Sequence, residues 1–252
     1  MTIAIPAHAK LNLSLELLGR RADGFHHIRS LFQAVSLHDL LLAERSPRTE
    51  LEGGQPDDLV LKAQGALERA VGRELPARFR LVKRIPIGAG LGGGSSDAAA
   101  ALRALSALYG LDEDLQSLAE QLGADVAFFL VGGTVMATGR GEQLAAMPQP
   151  AGCYALAWPG FSVSTAEVYS AWDRLGGEGD NHLTRAACAA EPRLEDFARR
   201  LPGWRMTGSG TSFFKPCEDT RQAERAVAGL DCWTAVVTPV PAWGLREPRS
   251  PR

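Results

Sequence analysis

No stretch of this chain approaches eighteen uninterrupted apolar residues, so nothing in it reads as a membrane-spanning helix. The N-terminal run from Met1 to Lys10 lacks the basic start, apolar stretch and cleavage site of an export signal. Cysteine is sparse: Cys153, Cys188, Cys217 and Cys232 lie far apart, form no C-x-x-C and have no histidine at zinc-ligand spacing. That excludes a zinc ribbon or a disulfide framework, and reduced thiols in the cytoplasm are expected. Neither sign of charge is in excess, with 27 Lys and Arg against 29 Asp and Glu, so there is no basic surplus to hold nucleic acid or an anionic membrane. The pairs Arg20-Arg21 and Arg199-Arg200 read as solvated surface. Lysine is rarest of all, with only Lys10, Lys62, Lys83 and Lys215 among the 27 basic residues. The Gly-Lys-Ser/Thr of a Walker A loop is absent, so any lysine serving phosphate chemistry must come from elsewhere.

What is present is glycine in one place. Residues Pro86, Ile87, Gly88, Ala89, Gly90, Leu91, Gly92, Gly93, Gly94, Ser95 and Ser96 run into Asp97 and an alanine-rich segment that ends before Gly110. Glycine turns through left-handed conformations and lets N–H groups approach an anion with no Cβ in the way. Ser95 or Ser96 can cap the helix that follows, whose positive end completes a phosphate cradle.

At 252 residues, 45% of them apolar, the chain can form one large or two small globular domains. The Pro/Gly-rich stretch from Met147 to Gly152 divides it into residues 1–148 and 149–252. Lys10 to Leu17 alternates without error, with Lys10, Asn12, Ser14 and Glu16 on one side and four leucines on the other, the pattern of a strand with one wet face. Strands return between Ile28 and Leu42, and Ser46 to Pro56 reads as loop. Leu59 to Val71 reads as a helix, and Arg78 to Ile85 as the strand entering the glycine loop. Asp112 can cap a helix closed by Gly123, and Asp125 precedes an apolar run broken by Gly132-Gly133. Beyond the division come a strand at Tyr154 to Trp158 and helices at Thr165 to Leu175, Leu194 to Leu201 and Thr220 to Ala228. A second glycine loop at Met206 to Phe214 and a strand at Trp233 to Thr238 complete the pattern. The proline-rich tail from Pro239 to Arg252 is expected to fray.

Gly88-x-Gly90-x-x-Gly93 matches the dinucleotide fingerprint, with Asp112 near the distance of a ribose-binding acid. The fingerprint belongs after the first strand of a repeating βαβ sheet, whereas some 85 residues of strand-and-turn sequence precede it here, which argues against hydride transfer. Taken singly, Lys10 and Asp125 remain ambiguous: a strand with one solvated face explains the first, and a helix N-cap the second.

Five blocks read together resemble the GHMP small-molecule kinases: Ala9 to Leu13, Gly19 to His26, Lys83 to Asp97, Leu122 to Val126 and Thr207 to Gly210. They fall in the family's order and span most of the chain. The resemblance implies a two-domain α/β (α+β) fold, its N-terminal domain like domain 2 of ribosomal protein S5 and its C-terminal domain ferredoxin-like, with the site between them. It implies transfer of the γ-phosphoryl of ATP, with magnesium, to the tertiary 2-hydroxyl of a methylerythritol carried on cytidine diphosphate, by a monomer or homodimer. Lys10 and Asp125 then fall on the family's catalytic positions, the loop from Pro86 to Ser96 on the nucleotide, and Ser96 on the metal. Asn12, Phe25, His26 and Asn181 fall on the other substrate, the ring stacking on cytosine and the histidine reading it. Thr207, Gly208, Ser209 and Gly210 form a loop that closes over the phosphates. Three positions depart from the family pattern: Phe25 stands where tyrosine is commoner, Ala127 where proline is usual, and His182 where aspartate is usual. A kinase for another alcohol, such as mevalonate or homoserine, and a non-catalytic ATP-binding protein are the alternatives.

Overall fold

The computed structural model describes residues 1–55 and 57–243. A long antiparallel hairpin opens the chain, β1 (Thr2–Arg20) against β2 (His26–Arg45). Its register shifts between His8 and Ala9, Asn12 and Ser14, and Leu17 and Gly19. Such irregularities bend and twist a strand, so 20 residues curl around a core instead of running flat. β1 follows one side of β2, and two strands share the other side. β4 (Ala77–Val82) pairs with Leu40–Arg45, and β5 (Thr134–Thr138) with Ser30–Gln33. β3 (Glu50–Glu52), parallel to β4, and β6 (Gln143–Ala146), antiparallel to β5, complete six strands. β3 lies inside the Ser46 to Pro56 segment expected to be loop, held by pairing to β4 that its short polar sequence does not announce; Pro56 itself lies outside the described residues.

Four helices pack with this sheet. α1 (Leu59–Val71) is capped by the Asp58 carboxylate and closed by left-handed Gly72. α2 (Gly93–Tyr109) buries Ala98, Ala99, Ala100 and Ala101 to within 2% exposure, small residues that let its axis approach β1 and β2. Its N-cap is Gly92 without a side-chain cap bond, so the expected cap at Ser95 or Ser96 is corrected: the left-handed glycine starts the helix earlier and carries both serines into it. α3 (Leu115–Leu122) is capped by Asp114 in place of the expected Asp112, its carboxylate accepting from the backbone N–H groups of Gln116 and Ser117. α4 (Ala124–Val131) carries Asp125 in its first turn behind a Gly123 N-cap, so Asp125 is not a cap. Phe32, Phe79, Phe128 and Phe129 are fully buried in this half, each contributing roughly 1.5–3 kcal/mol of apolar burial.

The second sheet draws on residues 153–237: β7 (Cys153–Trp158), β8 (Arg205–Met206), β9 (Phe213–Cys217) and β10 (Trp233–Val237), ordered β10-β7-β9-β8 and antiparallel throughout. Helices α5 (Thr165–Leu175), α6 (Thr184–Ala190) and α7 (Pro192–Arg199) lie between β7 and β8, and α8 (Thr220–Val227) between β9 and β10. This is the split βαβ order expected of a ferredoxin-like unit. After β10 the chain crosses back to the first half. Pro239 bridges to Val35, Ala242 to Gly132, and the Trp243 indole N–H donates to the Phe129 carbonyl at 3.1 Å. Residues 239–243 are therefore anchored where fraying was expected, while 244–252 lie outside the described residues.

Candidate active site

The glycine loop takes its shape from three left-handed turns, Gly88, Gly90 and Gly92, with φ of +76°, +77° and +75°. At two of them space is also short. A Cβ on Gly90 would stand 2.3 Å from the Gly210 carbonyl oxygen, and one on Gly92 would stand 2.8 Å from the Phe129 ring and 3.1 Å from Cγ of Lys10. The loop thus interlocks with the Thr207–Gly210 segment, and Ser212 secures the contact by donating its N–H and hydroxyl to the Ala89 carbonyl at 3.2 and 2.7 Å. Beside the loop lies a 340 Å³ cavity reaching to Gly53, Asp58, Lys83 and Asp97. Gly93, Gly94 and Ser95 at the start of α2, whose backbone N–H groups lack partners within the helix, line its wall, a geometry suited to an anion. Ser95 lines the cavity. Ser96, in the first turn of α2, is 2% exposed.

Lys10 and Asn12 lie on β1 at 5% and 4% exposure, which corrects the expected wet face: α4 and the loop at Thr207 cover it. The Lys10 ammonium donates to Asn12 Oδ1 at 2.7 Å, lies 3.2 Å from Asp125 Oδ2 and rests 4.4 Å from the centroid of the Phe32 ring. Asn12 in turn donates through Nδ2 to the Ser30 hydroxyl at 2.8 Å. These contacts hold Lys10 to one geometry. The Asp125 side chain is 37% exposed, so it has a second side open to a substrate. Ala127, where the family pattern has proline, is fully buried in α4.

A second cavity, of 690 Å³, is lined by Phe25, His26, Arg140, Thr165, Tyr169 and Asp173, among others. Phe25 is 57% exposed, a free ring face with the Arg140 guanidinium 5.2 Å from its centroid. His26 Nε2 lies 2.6 Å from Asp173 Oδ1, and the imidazole packs against Tyr169 and edge-on to Trp172. With Nε2 fixed by a carboxylate, Nδ1 is the nitrogen left to read a ligand. Burial pushes the Tyr169 phenol, on the wall of this cavity, up to about 12, and the charge of Asp125 adds to that. Arg20, exposed as expected, lies at the rim of the same cavity 3.7 Å from Asp173.

Two expected contacts have other partners. The Asn181 amide donates to the carbonyls of Met206 and Gly208, both at 2.9 Å, and its Oδ1 accepts from the Leu183 N–H. With both amide N–H groups donated and 6% exposed, Asn181 shapes the Thr207–Gly210 loop. Thr207 accepts from the Asn12 N–H at 2.7 Å and is buried, Gly208 gives the close approach to Asn12 Oδ1, and Ser209 shares a 2.9 Å hydrogen bond with Thr165. His182 is placed structurally too, with Nδ1 accepting from the Leu17 N–H at 3.1 Å.

Sequence reasoning missed a cluster under the glycine loop. Lys83 Nζ lies 2.5 Å from Asp39 Oδ2 and 2.7 Å from Asp97 Oδ2. Asp39 Oδ1 accepts the N–H groups of Arg84 and Ile85, while Asp97 Oδ1 is buried with no partner. Burial pushes the Asp97 carboxyl up to about 7 against the pull of Lys83, with Asp39 and Asp58 adding to the rise. An acid inside the apolar run from Ile28 to Leu42 was the available signal for Asp39.

The model of the GHMP kinases N terminal domain matches residues 58–133, which hold the glycine loop and Asp125. The 4-diphosphocytidyl-2-C-methyl-D-erythritol kinase of Pelotomaculum thermopropionicum is 45% identical, covering 90% of this chain and 93% of its own. That of Xanthomonas axonopodis pv. citri is 37% identical, covering 92% and 89%. A crystal structure of 4-(cytidine 5'-diphospho)-2C-methyl-D-erythritol kinase superposes with a TM-score of 0.80 at 36% identity, over 93% of this chain and 99% of that one. Homoserine kinase from Cytophaga hutchinsonii, with a TM-score of 0.70 at 20% identity over 96% of each chain, shares the fold alone. Identity of this extent, over nearly the whole length of both chains, means that the chain belongs to the 4-diphosphocytidyl-2-C-methyl-D-erythritol kinase family of GHMP kinases.

Proposed function

We propose that this chain transfers the γ-phosphoryl of ATP to the 2-hydroxyl of 4-diphosphocytidyl-2-C-methyl-D-erythritol. The observation that carries the reading is the Lys10–Asp125 pair, 3.2 Å apart with the carboxylate 37% exposed, Lys10 lying against Gly92 of the glycine loop. A tertiary alcohol is a crowded nucleophile, and Asp125 within hydrogen-bond reach orients it and accepts its proton. Lys10 holds that carboxylate and counters charge on the transferring phosphoryl. Asn12 keeps Lys10 in place, while Phe25 stacks on cytosine and His26 reads its edge. The Pro86 to Ser95 loop binds the triphosphate through backbone N–H groups, and the Thr207–Gly210 loop closes on it.

No three His, Cys, Asp or Glu side chains converge as a metal site among the described residues. A magnesium ion would come with the triphosphate, and Ser95, on the wall of the cavity, would offer it a hydroxyl. When bound it supplies charge neutralisation of the phosphates.

ADP release from Mg-ATP, measured with the cytidine acceptor and with mevalonate and homoserine as controls, tests the reading. Stimulation by the cytidine acceptor alone is expected. Release stimulated equally by either control would replace the acceptor, and ATP binding without release under any condition would replace the enzyme with a binding protein.

A further inference from the structure

Lys83 is the one cationic side chain on the wall of the nucleotide cavity among the described residues, and the reaction set out above leaves it without a task. Its ammonium has three donors. Two go to Asp39 and Asp97, and the side chain remains 24% exposed with a third to give. Gly93 allows it to come close: a Cβ there would stand 3.3 Å from Nζ, so the ammonium lies against the first turn of α2, where backbone N–H groups lack helical partners. Its two carboxylates are 0% and 2% exposed, and Asp39 is fixed further by the N–H groups of Arg84 and Ile85. Two buried carboxylates around one lysine, one of their oxygens unpartnered, make a poor source of stability compared with apolar packing. They do make a rigid mount that aims one positive charge at an anion site.

We propose that Lys83 is a nucleotide-binding residue, its ammonium joining the N-terminus of α2 to hold the polyphosphate of the nucleoside triphosphate, with Asp39 and Asp97 as the positioning residues that mount it. The inference rests on reading this cavity as the nucleotide site. It also supplies the lysine that the glycine loop, having no Walker sequence, does not carry itself.

The test compares full-length wild type, Lys83→Met and the double variant Lys83→Met/Asp97→Asn. Calorimetric titration with ADP reads nucleotide affinity, steady-state kinetics read KM for the cytidine acceptor, and circular dichroism reads thermal stability. The single variant strands two buried carboxylates and is expected to lose stability. The double variant removes one charge of each sign and leaves the cluster's formal charge as it was, so it is expected to melt within a few degrees of wild type. ADP affinity at least tenfold weaker in the double variant, with acceptor KM within twofold, supports the proposal. An ADP affinity within twofold of wild type in the double variant would reduce Lys83 to a structural counter-charge and overturn it. Absence of ADP binding to wild type itself would remove the nucleotide-site reading and this inference with it.

Discussion

Two lysines flank the N-terminus of α2, and carboxylates hold them in different ways. Lys10 meets one carboxylate, Asp125, which is 37% exposed. Lys83 meets two, Asp39 and Asp97, both sealed from solvent. A carboxylate with a free side can exchange partners during a reaction, whereas one closed in by protein can only hold what it holds. On the reading proposed above, the difference separates a reacting pair from a mounting, although both ammonium groups lie beside the same helix end. Gly92 and Gly93 make the arrangement possible, since a Cβ on the first would press on Lys10 and one on the second on Lys83.

The largest way to sharpen that contrast is Asp125→Asn. The amide keeps the shape and cannot accept the alcohol's proton, so turnover is expected to fall by roughly a hundredfold or more while ADP affinity stays within about twofold. Rapid-quench measurement of the phosphorylated product together with ADP titration checks both halves. Unchanged turnover would remove Asp125 as the base and erase the distinction between the two lysine sites.

Gly90→Ala should damage both sites at once. Its φ of +77° disfavours any side chain, and the new Cβ would stand 2.3 Å from the backbone oxygen of Gly210, which no rotamer can relieve. Strain of this kind costs about 1–3 kcal/mol. The interlock of the two glycine loops is expected to open, with ADP affinity falling at least tenfold and the melting temperature dropping. A variant with wild-type affinity would show that the loops need not touch.

Asn181→Ala tests the second half from a distance. It leaves the carbonyls of Met206 and Gly208 and the N–H of Leu183 without their partner, a loss of about 2 kcal/mol by denaturant titration. Because the loop it shapes is the one proposed to close on the phosphates, KM for ATP should rise more than KM for the acceptor. A rise confined to the acceptor would restore Asn181 as a substrate contact.

These effects trace what was legible in the sequence. The glycine loop was, because left-handed turns and an alanine helix are local properties of residues 86 to 109. Its cap was not: serine outranks glycine as an N-cap in general, but the loop needs a left-handed residue at Gly92, and the helix starts there. The alternation from Lys10 to Leu17 gave a strand without giving its burial, which depends on Asp125 and on Thr207, a hydrogen-bond partner 195 residues away from Asn12. The Lys83 cluster was invisible for the same reason, its carboxylates lying 44 and 14 residues distant. The structural bonds of Asn181 to Met206, Gly208 and Leu183 were not legible either, since a motif carries no record of which neighbours engage an amide.

The smallest expected effect separates the two lysine sites by pH. Asp97 has its carboxyl raised to about 7 by burial, above the ordinary aspartate value of 3.8 that the unfolded chain restores. Between those values the folded protein binds more protons at this residue than the unfolded one, so stability falls as pH rises. The contribution is complete below about 4, declines through 7 and is flat beyond, with a slope that cannot exceed one proton, about 1.4 kcal/mol per pH unit. Acids held low by arginine or by backbone N–H groups, such as Glu191 at about 2, act in the opposite sense and lose their contribution as pH falls, so the wild-type curve alone mixes the two. Asp97→Asn removes one term and keeps the rest. Urea titrations of both proteins from pH 4 to 8 should therefore give a stability difference that shifts steadily in favour of the variant up to about pH 7 and then levels. A difference independent of pH would mean that Asp97 stays ionised beside Lys83 throughout, and that the mounting holds its lysine by charge alone.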